Sequence, residues 1–255
     1  LELNFKKYGS GDPLIIIHGL LGMLDNWVGI AKILSEKYSV FIVDLRNHGK
    51  SPHNEEFNYK VLSDDLENFI ISNDISQPII IGHSMGGKVC IKLAFHNQKL
   101  LKKLVIVDIC QKEYPVNKEI MTMFKAMMSI DLTKTYSYHD VESQLDLFNL
   151  KEESKQVIIK NLKRDNATFK WKSNIVNIYK NLEYIRSAVI SDKKIFVPSL
   201  FLRGEKSNFI LNSDFQNIYK NFPEAEIITI SDAGHWIHSD NKNSFVQAVL
   251  DFINQ

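Results

Sequence analysis

The chain has 255 residues with 31 Lys+Arg against 30 Asp+Glu, a formal net charge of +1. That balance supplies no global field for nucleic acid or an anionic membrane surface. The length suits one large α/β domain that buries enough surface to need no disulfide or metal staple, and the two cysteines, Cys90 and Cys110, form neither a C-x-x-C pair nor a zinc-ligand cluster.

Short apolar runs alternate with amphipathic stretches, the pattern of a parallel sheet with crossover helices. Six runs read as buried strands: Leu14–Ile17, Val40–Val43, Ile79–Ile81, Leu104–Val107, Ser199–Leu202 and Ile227–Ile230. They lack polar alternation because strands of a parallel sheet are covered on both faces. Val61, Leu62, Asp65, Leu66, Phe69 and Ile70 predict a helix with one apolar stripe, as do Val89, Cys90, Leu93 and Ala94, and then Phe245, Val249 and Phe252. The rhythm breaks between Gln111 and Ser191, where Met121, Phe124, Met127, Met128, Leu145, Val157, Ile158 and Leu162 suggest helices. The expected organisation is a core of residues 1–111 and 192–255 with a helical cap, residues 112–191, inserted after the strand ending at Val107. No run of about 18 apolar residues marks a membrane span. No signal-peptide pattern opens the chain, although residue 1 is Leu rather than Met. Cytoplasmic localisation is the expectation.

Gly82-His83-Ser84-Met85-Gly86 fits G-x-S-x-G between a buried strand and a helix. The sharp turn needs small flanking residues, and it lifts Ser84 to the C-terminal rim of the sheet, where open α/β sheets bind ligands. A serine hydroxyl is a weak nucleophile and needs a base. His235, in Ala233-Gly234-His235-Trp236 after the last strand, is C-terminal to the serine and on a loop. The backbone N–H groups of Leu20, in His18-Gly19-Leu20-Leu21-Gly22, and of Met85 are the expected oxyanion donors.

Together with Asp44-Leu45-Arg46-Asn47-His48-Gly49-Lys50-Ser51, Gly86-Gly87-Lys88 and Val107-Asp108-Ile109, these motifs resemble the α/β-hydrolase superfamily. More narrowly, the chain resembles the bacterial YbfF-type esterases and their mitochondrial relatives among the abhydrolase-domain proteins. The resemblance implies hydrolysis of carboxylic esters or acyl thioesters of small to medium acyl groups, no metal or organic cofactor, and a helical cap. It implies a small-molecule acyl substrate as the partner and leaves the oligomeric state open. Many members carry the triad acid about three residues past a glycine after the strand counted seventh; here that place, counted from Gly204, holds Ser207. Others take it from the end of the strand counted sixth, where Asp108 stands. Asp108 is therefore the first candidate, Glu205 the second, and Asp214 and Asp192 follow.

Leu21, His83, Met127, Trp171 and Trp236 are candidate pocket residues, with core packing as the alternative for each. Lys88 either contacts substrate or snorkels to the surface of the helix after Ser84, and the Lys-rich stretch Lys151–Lys163 suits a solvated helix face. Two other functions fit the same motifs: a carbon–carbon hydrolase or lyase of the menaquinone-pathway type, and a slow-turnover ligand sensor. The former would favour an arginine clamp, for which the insertion offers only Arg164 and Arg186.

Overall fold

The computed structural model describes residues 1–255 except Val116 and Tyr136. In chain order the elements are β1 (Phe5–Tyr8), β2 (Asp12–Ile17), α1 (Val28–Leu34), β3 (Tyr38–Val43), α2 (Tyr59–Ser72), β4 (Ile79–His83), α3 (Met85–Asn97) and β5 (Lys103–Val107). An insertion follows: α4 (Lys118–Ser129), α5 (Tyr138–Leu145), α6 (Glu152–Lys160), β6 (Leu162–Asp165), β7 (Thr168–Trp171), α7 (Ile175–Lys180) and α8 (Leu182–Arg186). The chain closes with β8 (Ser199–Gly204), α9 (Phe215–Asn221), β9 (Glu226–Ile230), α10 (Ile237–Asp240) and α11 (Lys242–Ile253).

All six expected strands are present. They form one sheet in the order β1-β3-β2-β4-β5-β8-β9, parallel throughout except for β1, which runs antiparallel along the edge of β3. The period of two along each strand sorts its side chains into two cores. Ile15, Ile17, Phe41, Val43, Ile80 and Ile106 face α2, α3 and the insertion. Leu14, Ile16, Val40, Ile42, Ile81 and Val105 face α1 and α11. Burying each such side chain contributes about 1.5–3 kcal/mol, so unbroken Ile/Val runs are what hold the central strands. This is the α/β-hydrolase fold, with helical insertions on one side of a mostly parallel sheet.

Winding reverses at β2, whose neighbours are β3 on one side and β4 on the other. Loops after strands on either side of such a reversal diverge and leave a crevice. Ile17 pairs with Gly82 and His83 with Val107, so the loop after β2, Ser84 after β4 and Asp108 after β5 emerge side by side on one rim.

Two local expectations change. The insertion is not all helix: β6 and β7 form an antiparallel hairpin, turning at Asn166 in the left-handed region (φ 55°). Each arm has only four residues, and its apolar members, Leu162, Phe169 and Trp171, are too few to show a period of two. Lys88 does not reach the surface; it is 1% exposed. The first turn of α3 lies under the end of the insertion, where the Lys88 ammonium donates to the carbonyls of Ser187 (2.7 Å) and Arg186 (3.3 Å) and lies over the Tyr114 ring. That burial lowers its pKa to about 8.

Candidate active site

Ser84 takes φ 51° and ψ −121° between β4 and α3. A non-glycine residue there is strained by roughly 1–3 kcal/mol and persists only when its surroundings fix it. The glycines supply that fixity by close approach. A Cβ on Gly82 would stand 2.6 Å from the Gly86 carbonyl oxygen, and one on Gly86 would stand 2.5 Å from the His18 carbonyl oxygen. Asp108 also has a positive φ (49°) at the end of β5.

A continuous hydrogen-bonded chain joins three of the singled-out side chains. His235 Nδ1 is 2.8 Å from Asp108 Oδ2, and His235 Nε2 is 3.0 Å from Ser84 Oγ. With the Nδ1 proton donated to the carboxylate, Nε2 is left to accept from the serine hydroxyl. Asp108 is fully buried, while the His235 side chain is 22% exposed. The carboxylate is further held by the Gly204 N–H on Oδ1 (3.1 Å) and the Ser207 hydroxyl on Oδ2. Glu205 faces elsewhere and accepts from the Asp232 N–H (3.0 Å), and Asp214 pairs with Lys112 (2.5 Å). Asp192 is exposed.

His235 is also clamped by rings. Phe209 stacks on the imidazole at 3.8 Å with an interplanar angle of 18°. His83, buried beneath, donates from Nε2 to the His235 carbonyl oxygen (2.9 Å). Burial holds the His83 pKa well below the ordinary histidine value, with His235 and His238 adding to the effect. Trp236 borders the same cluster, with its ring 5.1 Å from His83 and 6.0 Å from His235.

On the other side of Ser84 the polar groups are backbone. The Gly22 N–H closes a turn on the Gly19 carbonyl oxygen (3.0 Å), with Leu20 and the left-handed Leu21 (φ 57°) at its centre. Leu20 N–H has no partner among the described residues, and neither does Met85 N–H, which opens α3. The N-terminal end of a helix carries a partial positive charge, which favours an anion there. Two buried histidines brace the turn. His48 Nε2 accepts from the Leu21 N–H (3.2 Å), and His18 Nε2 accepts from the Leu45 N–H (3.0 Å). Both rings donate from Nδ1 to carbonyls, of Arg46 and Gly19 respectively. Burial lowers His18 to about 4; burial, with His18 beside it, lowers His48 to about 3. Both rings are therefore neutral and serve as acceptors. Asp44 ties the neighbouring loop, accepting from the Leu24 and Lys50 N–H groups (2.8 and 2.9 Å).

The remaining pocket candidates divide. Leu21 is buried, with its N–H held by His48 and its carbonyl by Asn161, and Trp236 lies beside His235. Met127 is fully buried, while its neighbour Met128 is 42% exposed, so the methionines of α4 do not share one lining face. Trp171 is half-buried at the end of β7 and packs within the insertion side of the core. Among the described residues, no group of three His, Cys, Asp or Glu side chains is arranged to hold a metal ion. No helix among them is long and apolar enough to cross a membrane. Phe209, Ser207 and Asn161 were not singled out from the sequence as functional; only their places in the fold bring them to the site.

The α/β-hydrolase-fold family matches residues 12–242. The chain belongs to that family. A marine-microorganism esterase of known structure shares 37% identity, with 99% of both chains covered and a TM-score of 0.96. The sn-1-specific diacylglycerol lipase ABHD11 of Danio rerio is 32% identical over 98% of this chain and 80% of its own length. Esterase YbfF of Escherichia coli is 28% identical over 96% of this chain and 94% of its own. The chain is thus an α/β-hydrolase superfamily esterase related to the YbfF and ABHD11 types.

Proposed function

We propose that the protein hydrolyses carboxylic esters or acyl thioesters of small to medium acyl groups through an acyl-enzyme on Ser84. The observation that carries this is the hydrogen-bonded run Ser84–His235–Asp108 beside two unpartnered N–H groups. In the first half-reaction Ser84 Oγ attacks the acyl carbon while His235 Nε2 takes the hydroxyl proton. The buried Asp108 carboxylate holds the imidazole in that tautomer and offsets the charge it acquires. The carbonyl oxygen becomes an oxyanion facing the Leu20 and Met85 N–H groups, donors that need no reorganisation as charge develops. His235 returns its proton to the departing alcohol or thiol. Water then attacks the acyl-enzyme by the same relay, releasing the acid and restoring Ser84.

Residues 112–191 act as a cap over this rim, and Trp236 borders the acyl group. The carbon–carbon lyase reading lacks its clamp: Arg186 donates to the Tyr114 carbonyl (3.0 Å), and the Arg164 guanidinium lies over Phe169. The buried free thiols Cys90 and Cys110 suit a reducing compartment such as the cytoplasm.

The test is a hydrolysis screen over aryl esters and acyl thioesters, with fluorophosphonate labelling. Ser84 is expected to carry the label, and Ser84→Ala to lower kcat by about 10⁶, the scale of removing a serine nucleophile. A label on another serine, with Ser84→Ala as active as the wild type, refutes the proposal.

A further inference from the structure

The insertion touches the turn after β2 through one side chain that the proposed mechanism does not use. Asn161 caps the C-terminal end of α6 and is fully buried. Its Nδ2 donates to the Leu21 carbonyl oxygen (2.7 Å) and to the Val157 carbonyl oxygen (3.0 Å). Its Oδ1 accepts from the Ser173 hydroxyl (2.6 Å), and its carbonyl oxygen accepts from the Lys172 N–H (2.8 Å). The amide is thereby fixed in orientation by the insertion and points its donor at the core.

We propose that Asn161 is a positioning residue for the oxyanion loop, through which the insertion sets the direction of the Leu20 N–H. The proposal rests on the hydrolase reading above. Leu21 sits in the left-handed region, where the Cβ of an L-residue crowds the following carbonyl oxygen. Such a conformation persists only while its peptide groups are held. His48 holds the Leu21 N–H and Asn161 the Leu21 carbonyl, so the residue is gripped at both ends, once from the core and once from the insertion. Release of the carbonyl grip lets Leu21 relax toward an extended conformation, which rotates the turn and turns the Leu20 N–H away from Ser84.

Asn161→Asp keeps the shape and the Ser173 acceptor but removes the donor to Leu21. Asn161→Ala removes both. Ser173→Ala removes only the tie to Oδ1 and leaves Nδ2 on the Leu21 and Val157 carbonyls, so it is a control expected to keep kcat within about three-fold of the wild type. All three are measured with an aryl ester, kcat being expressed per site titrated with fluorophosphonate. The expected result for both Asn161 variants is a fall in kcat of about 10- to 100-fold, less than the loss of an oxyanion donor itself, with KM changed less than about three-fold. Affinity for an aryl boronic acid, which forms a tetrahedral adduct on the serine, falls in parallel. A purely structural role lowers the number of titrated sites and leaves kcat per site and boronate affinity unchanged; that result overturns the proposal for Asn161 alone. Failure of the wild type to bind boronate or be labelled at Ser84 overturns the hydrolase reading and, with it, this inference.

Discussion

The two sides of Ser84 are built from different material. Toward β5 and β8 the proposed chemistry belongs to side chains: the His235 imidazole, the Asp108 carboxylate and the Phe209 ring that backs them. Toward β2 it belongs to main-chain N–H groups, and the side chains present, His18, His48 and Asn161, only hold the backbone in shape. A side-chain relay is removed by a point mutation at the residue itself. A backbone site is reached only through its braces, so its failures are partial and appear as stability as often as rate. The two sides should therefore respond to different perturbations.

The sharpest way to break the relay side is Asp108→Asn. Nδ1–H of His235 then faces an amide that can present either oxygen or nitrogen, and the neutral partner no longer offsets imidazolium charge. The expected loss in kcat is about 10⁴-fold, the scale of a triad histidine left in the wrong tautomer. Glu205→Gln is expected to stay within a few-fold of the wild type, because Glu205 is engaged with the Asp232 N–H. Steady-state kinetics of the two variants decide the matter, and the reverse ranking would move the acid to the loop after β8.

Acid tests the braces. His18 and His48 are lowered to about 4 and about 3, and His238, buried against Trp27, to about 3. In the unfolded chain each titrates near 6.5. Between those values the unfolded state binds more protons, so their stabilising contribution is complete above about pH 6.5 and is lost as pH falls toward the folded values. Each costs about 1.4 kcal/mol per pH unit in that window. These rings, with His83 held low by the same burial, all act in one direction, so stability falls steeply as pH drops below about 6.5. Urea unfolding at pH 7, 6 and 5 is expected to show a steep fall in midpoint, and His48→Gln a shallower one. A midpoint that stays flat from pH 7 to 5 would mean these rings take up protons in the folded state.

The relay side was also the more legible in the sequence, for a physical reason. A strained strand-to-helix turn demands glycine at Gly82 and Gly86, and a strand must end where a side chain reaches the rim, so Ser84, Asp108 and His235 each stand just beyond an apolar run. Asp108 and Glu205 were hard to separate because both follow strands; the pairing of β5 with β4 and β8 turns Asp108 inward, while Glu205 takes a backbone N–H at the edge. Of the braces, His18 and His48 lie within the motifs that carry the family resemblance, whereas Asn161 carries no such mark. Asn161 ends an ordinary amphipathic helix, and its proposed role depends on Leu21, 140 positions away in the chain. The four-residue arms β6 and β7 and the Lys-rich edge strand β1 were missed because their patterns are short and their exposed faces polar. Lys88 was misplaced because a charged residue on a helix is read as solvated unless carbonyls are known to meet it.

Lys88 gives the smallest expected effect and the finest test of the comparison, since it is where the insertion grips the relay side. Lys88→Met keeps the length of the side chain and removes the ammonium. The Ser187 and Arg186 carbonyls lose their donor, which costs about 1–3 kcal/mol. Against that, an ion is no longer held away from water, and replacement of a buried charge by an apolar side chain is often neutral or favourable. The net change at pH 7 is expected within about 1–2 kcal/mol of the wild type. The lowered pKa fixes how the difference varies with pH. Between about 8 and 10.5 the unfolded wild-type chain holds a proton on Lys88 that the folded chain has released. Wild-type stability relative to Lys88→Met therefore rises by about 1.4 kcal/mol per pH unit across that window. Urea midpoints of both proteins at pH 7 and pH 9.5 measure it, and comparing the two cancels the thiol and phenol titrations they share. Esterase kcat is expected to stay within about two-fold, because the Lys88 ammonium hydrogen-bonds carbonyls of the insertion and not the proposed relay. A ten-fold drop in kcat for Lys88→Met would show that the insertion acts on His235 and Asp108 as well as on the turn after β2, and the division between the two sides of Ser84 would not stand.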